Sequence, residues 1–220
     1  ADLITTTQGH LAGKLKKINS NVQILPNLMD MSRWDLPKLK NDSNQIRIGY
    51  FGSMTHQNDI RMILPVLRRI SKEFPEVIFV TVGDPRMGSE MEGINHECML
   101  GVPFEYWSMK LHSLRLDIAI APLSNNEFNF NKSAIKFYES AIAKYPFIGS
   151  DVIYGSVVKH LNNGMIAKNS EDWYECIKFM IQNKSVAEIM ANNAYIYVKE
   201  TKDLEKNMSI FKEISLEIVE

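Results

Sequence analysis

The sequence predicts an α/β domain with a doubly wound parallel sheet and C-terminal helices. Three observations lead there. Near-continuous apolar runs at 46–53, 77–84, 116–123 and 146–150 are rich in Ile, Val and Phe, as strands covered on both faces are. Between the first two runs, apolar residues recur at helical spacing. The last fifty or so residues carry helical patterns in succession, with no further strand.

The elements follow in chain order. A short helix at 8–17 precedes "VQILPN" (22–27), which reads as an edge strand. "DMSRWDLPKLKNDSN" (30–44) is polar and Pro-containing, and is expected to be a surface connection. "IRIGYFGS" (46–53) opens the main sheet and ends in a Gly-Ser turn. "NDIRMILPVLRRISKEF" (58–74) aligns Ile60, Ile63, Leu64, Leu67 and Ile70 on one helical face. "VIFVTVGD" (77–84), "LDIAIAPL" (116–123) and "PFIGS" (146–150) supply the remaining predicted strands. Helices are expected at 170–183, 185–200 and 203–219.

Composition narrows the function classes. The chain of 220 residues is 45% hydrophobic and 23% charged, as a folded globular protein is. A net charge of -1 argues against broad attraction to nucleic acid. Two cysteines, Cys98 and Cys176, are too few for a disulfide framework and point to a reducing, cytoplasmic setting. No run approaches the roughly 18 apolar residues of a membrane span. The opening "ADLITTTQGH" has neither a basic flank nor an apolar signal core, and it lacks an initiator Met. The expectation is a piece of a longer protein.

In an open parallel sheet, ligands bind beyond the carboxyl ends of the strands. Four such ends carry candidate residues. "GSMTHQND" after the first strand offers Gly52 and Ser53 for close backbone approach. "GDPRMGS" follows the second, and "GVPFEYWS" (101–108) places aromatic residues where a base could stack. "SNNEFNFNKS" (124–133) leads into a helix on which Lys132, Lys136, Glu139 and Ala143 form one stripe at 100° per residue. Asn131 fits the N-cap position of that helix. Two lysines at a helix N-terminus suit a diphosphate, and a carboxylate further along suits a ribose diol. The same spacing also suits an exposed charge arrangement worth a few tenths of a kcal/mol, and spacing alone leans towards it.

Other motifs are missing or incomplete. His96 and Cys98 have no partner pair at zinc-ligand spacing, and no metal site is expected. The sequence contains neither a Walker loop nor a Gly-x-Gly-x-x-Gly fingerprint. Ser53 and Ser124 lack a nucleophile-elbow context. His10, His112 and His160 read as surface or satisfied histidines.

The segments, in their order, resemble the C-terminal, nucleotide-sugar-binding half of GT-B glycosyltransferases, especially the retaining enzymes of glycosyltransferase family 4. "ADLITTTQGHLAGKLKKINSNVQILPNLMD" resembles the bridge into that half, and "IRIGYFGSMTHQNDIRMILPVLRRI" its Gly-rich first loop. "NKSAIKFYESAIAKYPFIGSDVIYGSVV" and "NNGMIAKNSEDWYECIKFMI" resemble its signature helix and its close. The resemblance implies a Rossmann-like domain at 46–200, preceded by a bridging segment and edge strand (1–45) from the other half. A crossing helix at 201–220 would follow.

It also implies roles for individual residues. Glu139 would hold the ribose hydroxyls, and Lys132 and Lys136 the diphosphate, with the amides around Ser133 and Ala134. Gly52 and Ser53 would approach the phosphates and donor sugar, while Val102 to Tyr106 would border the base. The signature's first glutamate falls at Asn131, a departure at the residue facing the donor sugar. The Arg and Lys-Gly phosphate pair is replaced by "THQNDIR", for which Lys132 and Lys136 would compensate.

The implied activity is metal-independent, retaining transfer from a UDP- or GDP-sugar, with no cofactor. Lys136 and Asn131 are the residues nearest the chemistry. The acceptor would be a saccharide or lipid-linked glycoconjugate, in bacterial surface polysaccharide assembly at the inner face of the membrane. The partner would be the absent N-terminal GT-B domain. A non-catalytic nucleotide-sugar-binding module is the rival reading. An epimerase on the same scaffold, with His56 and Asp59 as acid and base, is the third.

Overall fold

A computed structural model describes residues 2–52, 57–83 and 85–219. Its centre is a six-stranded parallel sheet formed by β3 (Ile46–Gly52), β4 (Val77–Gly83), β5 (His96–Leu100), β6 (Ile118–Ala121), β7 (Phe147–Ser150) and β8 (Met165–Ala167). The strand order is β5-β4-β3-β6-β7-β8. After β3 the chain builds outward through β4 and β5, and then crosses back to place β6 on the other side of β3. The order therefore reverses between β3 and β6, the position where such sheets open a ligand crevice.

Both faces of the sheet are covered, as the unbroken apolar strands require. Ile48, Phe79, Ile118 and Ile148 pack towards α4 (Leu64–Glu73) and α9 (Ser170–Gln182), with Leu67, Trp173 and Ile177 in the same cluster. Phe51, Val80, Ala119 and Phe147 lie in a second cluster with Phe137, Ala141 and Ile142 of α7 (Ile135–Ile142) and Ala194 and Val198 of α10 (Lys184–Thr201). Full burial of a side chain such as Leu67 contributes about 2 kcal/mol.

The expected helix at 58–74 is two helices, α3 (Gln57–Arg61) and α4, and Pro65 explains the break. It has no N–H to donate to the Arg61 carbonyl, so it takes an early position in a new helix instead. At the end of β4, Gly83 has φ +135°, and a Cβ there would fall 2.0 Å from the Gly52 carbonyl oxygen. Only glycine lets these two strand ends lie together.

The N-terminal region differs from expectation. Residues 22–24 form β2, which pairs in parallel with β1 (Ile4–Thr6) across α1 (Gly9–Leu15), in a small sheet of its own. The edges of the main sheet are β5 and β8, neither of which was expected as a strand. The 30–44 stretch is also anchored rather than wholly superficial. It carries α2 (Met31–Trp34), whose Trp34 is buried and accepts a hydrogen bond from His112 Nε2 at 3.1 Å. Met29 then exchanges backbone hydrogen bonds with the far end of the chain, donating to Lys202 O at 2.7 Å and accepting from Leu204 N at 3.0 Å. After α10, a 3-10 turn (Glu205–Asn207) leads into α11 (Met208–Val219). Among the described residues, no helix is long and apolar enough to cross a membrane.

Candidate functional site

At the point where the strand order reverses, the ends of β3 and β6 deliver two connections to the same place. β3 ends at Tyr50, Phe51 and Gly52, and the chain re-emerges in α3 with Asp59 buried. β6 is followed by a turn that Asp59 organises. Asp59 Oδ1 accepts hydrogen bonds from the Ser124 amide at 2.8 Å and from Asn129 Nδ2 at 2.9 Å. Its Oδ2 lies 3.7 Å from the Lys132 ammonium. Asp59 is thus a structural acceptor with both oxygens engaged. His56, its suggested partner in acid/base chemistry, lies outside the described residues, as does Ser53.

The turn contains a short helix, α6 (Glu127–Phe130), capped by Asn126 through the Asn129 amide. Asn131 closes α6 instead of opening the next helix. Its Nδ2 donates to the Glu127 carbonyl at 2.6 Å, while its Oδ1 is buried with no hydrogen-bond partner among the described residues. α7 begins later, after Ala134, with no side-chain cap. The expected N-cap role of Asn131 is therefore corrected: Lys132 N still bonds back to Asn129 O, and that turn delays the new helix.

Lys132 and Ser133 accordingly precede α7 and do not share its stripe. Lys132 instead reaches over the Phe128 ring, 4.7 Å from its centroid. Ser133 Oγ accepts from Asn27 Nδ2 at 2.6 Å. Among the described residues, the amides of Ser133 and Ala134 make no backbone hydrogen bond, which leaves both N–H groups available as donors.

α7 carries the other two charges inward. The Lys136 ammonium is buried and, among the described residues, has no hydrogen-bond partner, although the residue as a whole keeps partial exposure. It lies over the Tyr50 ring, 4.7 Å from the centroid. Burial lowers its pKa to about 8, a fall resisted by the Glu139 carboxylate and assisted by the Lys132 charge. Glu139 is buried as well, and Trp107 Nε1 donates to its Oε1 at 2.9 Å. Burial raises its pKa to about 7 against the opposing pull of that hydrogen bond and of Lys136. The solvated-face reading of this stripe does not hold: both groups are held out of water.

Trp107 opens α5 (Trp107–Ser113) and packs on Phe51 at 5.4 Å between ring centroids. Sequence reading placed it among aromatics near a strand end but did not link it to Glu139. Its neighbours Val102, Phe104 and Tyr106 are exposed on the connection from β5, with Phe104 66% and Tyr106 57% accessible. The structure thus gathers Lys132, Lys136 and Glu139 around Tyr50, Asp59 and Trp107. Gly52 ends the strand that carries Tyr50. Val102 and Tyr106 are exposed on the connection that leads into Trp107, and Asn131 ends α6 within the turn. Two cavities of ≈640 and ≈590 Å³ lie elsewhere, along β7 and β8, and neither is lined by Lys136 or Glu139. Buried, unpaired charge rather than volume marks this site.

The sequence matches no protein-family model and no curated protein. The fold has clear counterparts among solved structures, and its parallel sheet with flanking helices matches the Rossmann-like half of the GT-B fold. HepE from Anabaena, in complex with UDP-glucose, superposes with a TM-score of 0.77 at 13% identity, over 98% of this chain and 64% of HepE. TarM from S. aureus, in complex with UDP, gives 0.76 at 13% identity, over 96% of this chain and 43% of TarM. The C-terminal domain of the glycosyl transferase group 1 family protein LpcC from Francisella tularensis gives 0.62 at 16% identity, over 80% of this chain and 99% of that domain. The chain therefore spans less than two thirds of HepE and of TarM, and nearly all of an isolated C-terminal domain.

Proposed function

We propose that this chain is the donor-binding half of a glycosyltransferase that uses a UDP- or GDP-sugar. One observation carries the reading. At the reversal of strand order, a buried ammonium with no hydrogen-bond partner among the described residues (Lys136) lies with a second lysine (Lys132), two amides that make no backbone hydrogen bond and a buried carboxylate (Glu139). An anion at that position would partner Lys136 and receive the amides of Ser133 and Ala134, which is what a diphosphate needs. Glu139 Oε1 is already occupied by Trp107, so its second oxygen is the one offered to a ribose diol. HepE, with UDP-glucose, and TarM, with UDP, are similarly folded proteins in complex with such ligands.

In this reading the chain binds and orients the sugar diphosphate. Lys132 and Lys136 stabilise negative charge that develops on the leaving phosphate as the glycosidic bond breaks. Charge stabilisation comes from groups already fixed in place, so little reorganisation is needed at the moment of reaction. The transfer is metal-independent and retaining, and the acceptor is a saccharide or a lipid-linked glycoconjugate in surface polysaccharide assembly. An N-terminal GT-B domain completes the cleft.

Calorimetry with UDP, GDP and ADP tests the reading. At least one diphosphate should bind the wild type, Lys136→Ala should weaken it by about 100-fold, and Glu139→Ala should weaken the nucleotide more than it weakens pyrophosphate. Equal affinities across all three proteins would sink the assignment. A nucleotide-sugar-binding module without turnover is the second reading, and Asn131 favours it, because its amide nitrogen is committed to closing α6.

A further inference from the structure

The two cavities along β7 and β8 have the dimensions of a ligand site and are separate from the Lys136 cluster. The one of ≈590 Å³ opens at the carboxyl ends of three strands, where Leu123, Ser150 and Ala167 line it. It begins on the same turn that carries Lys132, since Asn125 and Phe130 form part of its wall. The one of ≈640 Å³ continues around the outer edge of β8 towards α9, lined there by Ile166, Cys176 and Phe179. Asp151 and Lys168 line both cavities, with their charged atoms 3.9 Å apart. This pair is the part of the wall that the two cavities share. Its side chains are 52% and 68% exposed, so a ligand parts them at little cost.

We propose that the two cavities form one groove that binds a neutral saccharide chain, leading it from the β8 flank to the turn that carries Lys132. The choice of ligand rests on the sugar-transfer reading above; its class follows from the groove. Asp151, Asp172 and Glu175 stand against the single ammonium of Lys168, an excess of carboxylate that repels phosphates and other anions. Carboxylates and amides such as Asn125 and Asn169 pair well with hydroxyls. The half-buried rings of Phe130 and Phe179 offer apolar surface to the C–H faces of a sugar. A peptide strand added to the β8 edge is disfavoured, because His160 Nδ1 already accepts the Ile166 amide at 3.0 Å.

Amide-resolved NMR titration of the 220-residue chain tests this, with chitotetraose, maltotetraose, cellotetraose, tetragalacturonate and UDP each added separately. At least one neutral tetrasaccharide should shift the amides of Ile166, Lys168 and Asn169. Asp151→Asn and Lys168→Ala should each weaken that saccharide by about tenfold while leaving UDP affinity unchanged. Binding of UDP with no response to any neutral saccharide overturns the groove and spares the donor site. Silence towards UDP as well overturns both. A response confined to tetragalacturonate overturns the neutral class.

Discussion

Burial pushes both Lys136 and Glu139 towards their neutral forms, and the two respond to pH in opposite directions. Glu139 has its pKa raised from 4.5 to about 7, so its contribution to stability is fully present below 4.5 and is lost as pH rises through 7. Lys136 has its pKa lowered from 10.5 to about 8, so its contribution is present above 10.5 and is lost as pH falls through 8. The ligand-free protein is therefore least favoured by this pair near neutrality, where an anion would bind. Urea denaturation should show the wild type losing about 2 kcal/mol between about pH 5 and about pH 8 that Glu139→Gln does not lose. Parallel curves for the two proteins would mean that the Glu139 pKa is not raised in the folded protein. Trp107 is the residue whose role was hidden in the sequence. Its indole N–H meets Glu139 across the fold, and no local spacing relates positions 107 and 139.

The turn between β6 and α7 depends on Asp59, which belongs to a different element. Asp59→Ala removes the acceptor of the Ser124 amide and of Asn129 Nδ2, and it leaves Lys132 without its carboxylate neighbour. Denaturation midpoints should fall by the equivalent of about 2–4 kcal/mol, with Asp59→Asn costing less because it keeps an oxygen for both donors. A near-neutral Asp59→Ala would show that the turn is held by something else. The elements most legible in the sequence were those whose neighbours do not alter their pattern. β3, β4, β6 and β7 lie inside the sheet, and their unbroken apolar runs follow from cover on both faces. β5 was missed because it is an edge strand, "HECML", with alternate residues exposed and too little apolar surface to stand out. β8 was missed because only three residues pair. The start of α7 was placed too early because Asn131 is a good capping residue, and it does cap, but at the C-terminal end of α6.

At the scale of the whole molecule, the order β5-β4-β3-β6-β7-β8 sets everything that lies near the site. It brings the end of β3, the turn after β6 and the start of α5 to one place, although they are far apart in sequence. That is why the sequence showed charge on one helix but not the buried tyrosine, aspartate and tryptophan around it. The Met29 clasp has a consequence of a different kind. Its partners, Lys202 and Leu204, come almost a full chain later, so closing it requires ordering a loop that contains the entire main sheet. Such a contact forms after the rest has folded and can open before the rest unfolds. Hydrogen exchange should find the amides of Met29 and Leu204 exchanging as a pair, well ahead of those in β3 and β4. Exchange at the rate of the sheet would mean that the clasp and the sheet are a single cooperative unit. If the pair does exchange first, both outer segments detach together while the sheet stays folded, and a protease would find the first cleavable bonds there.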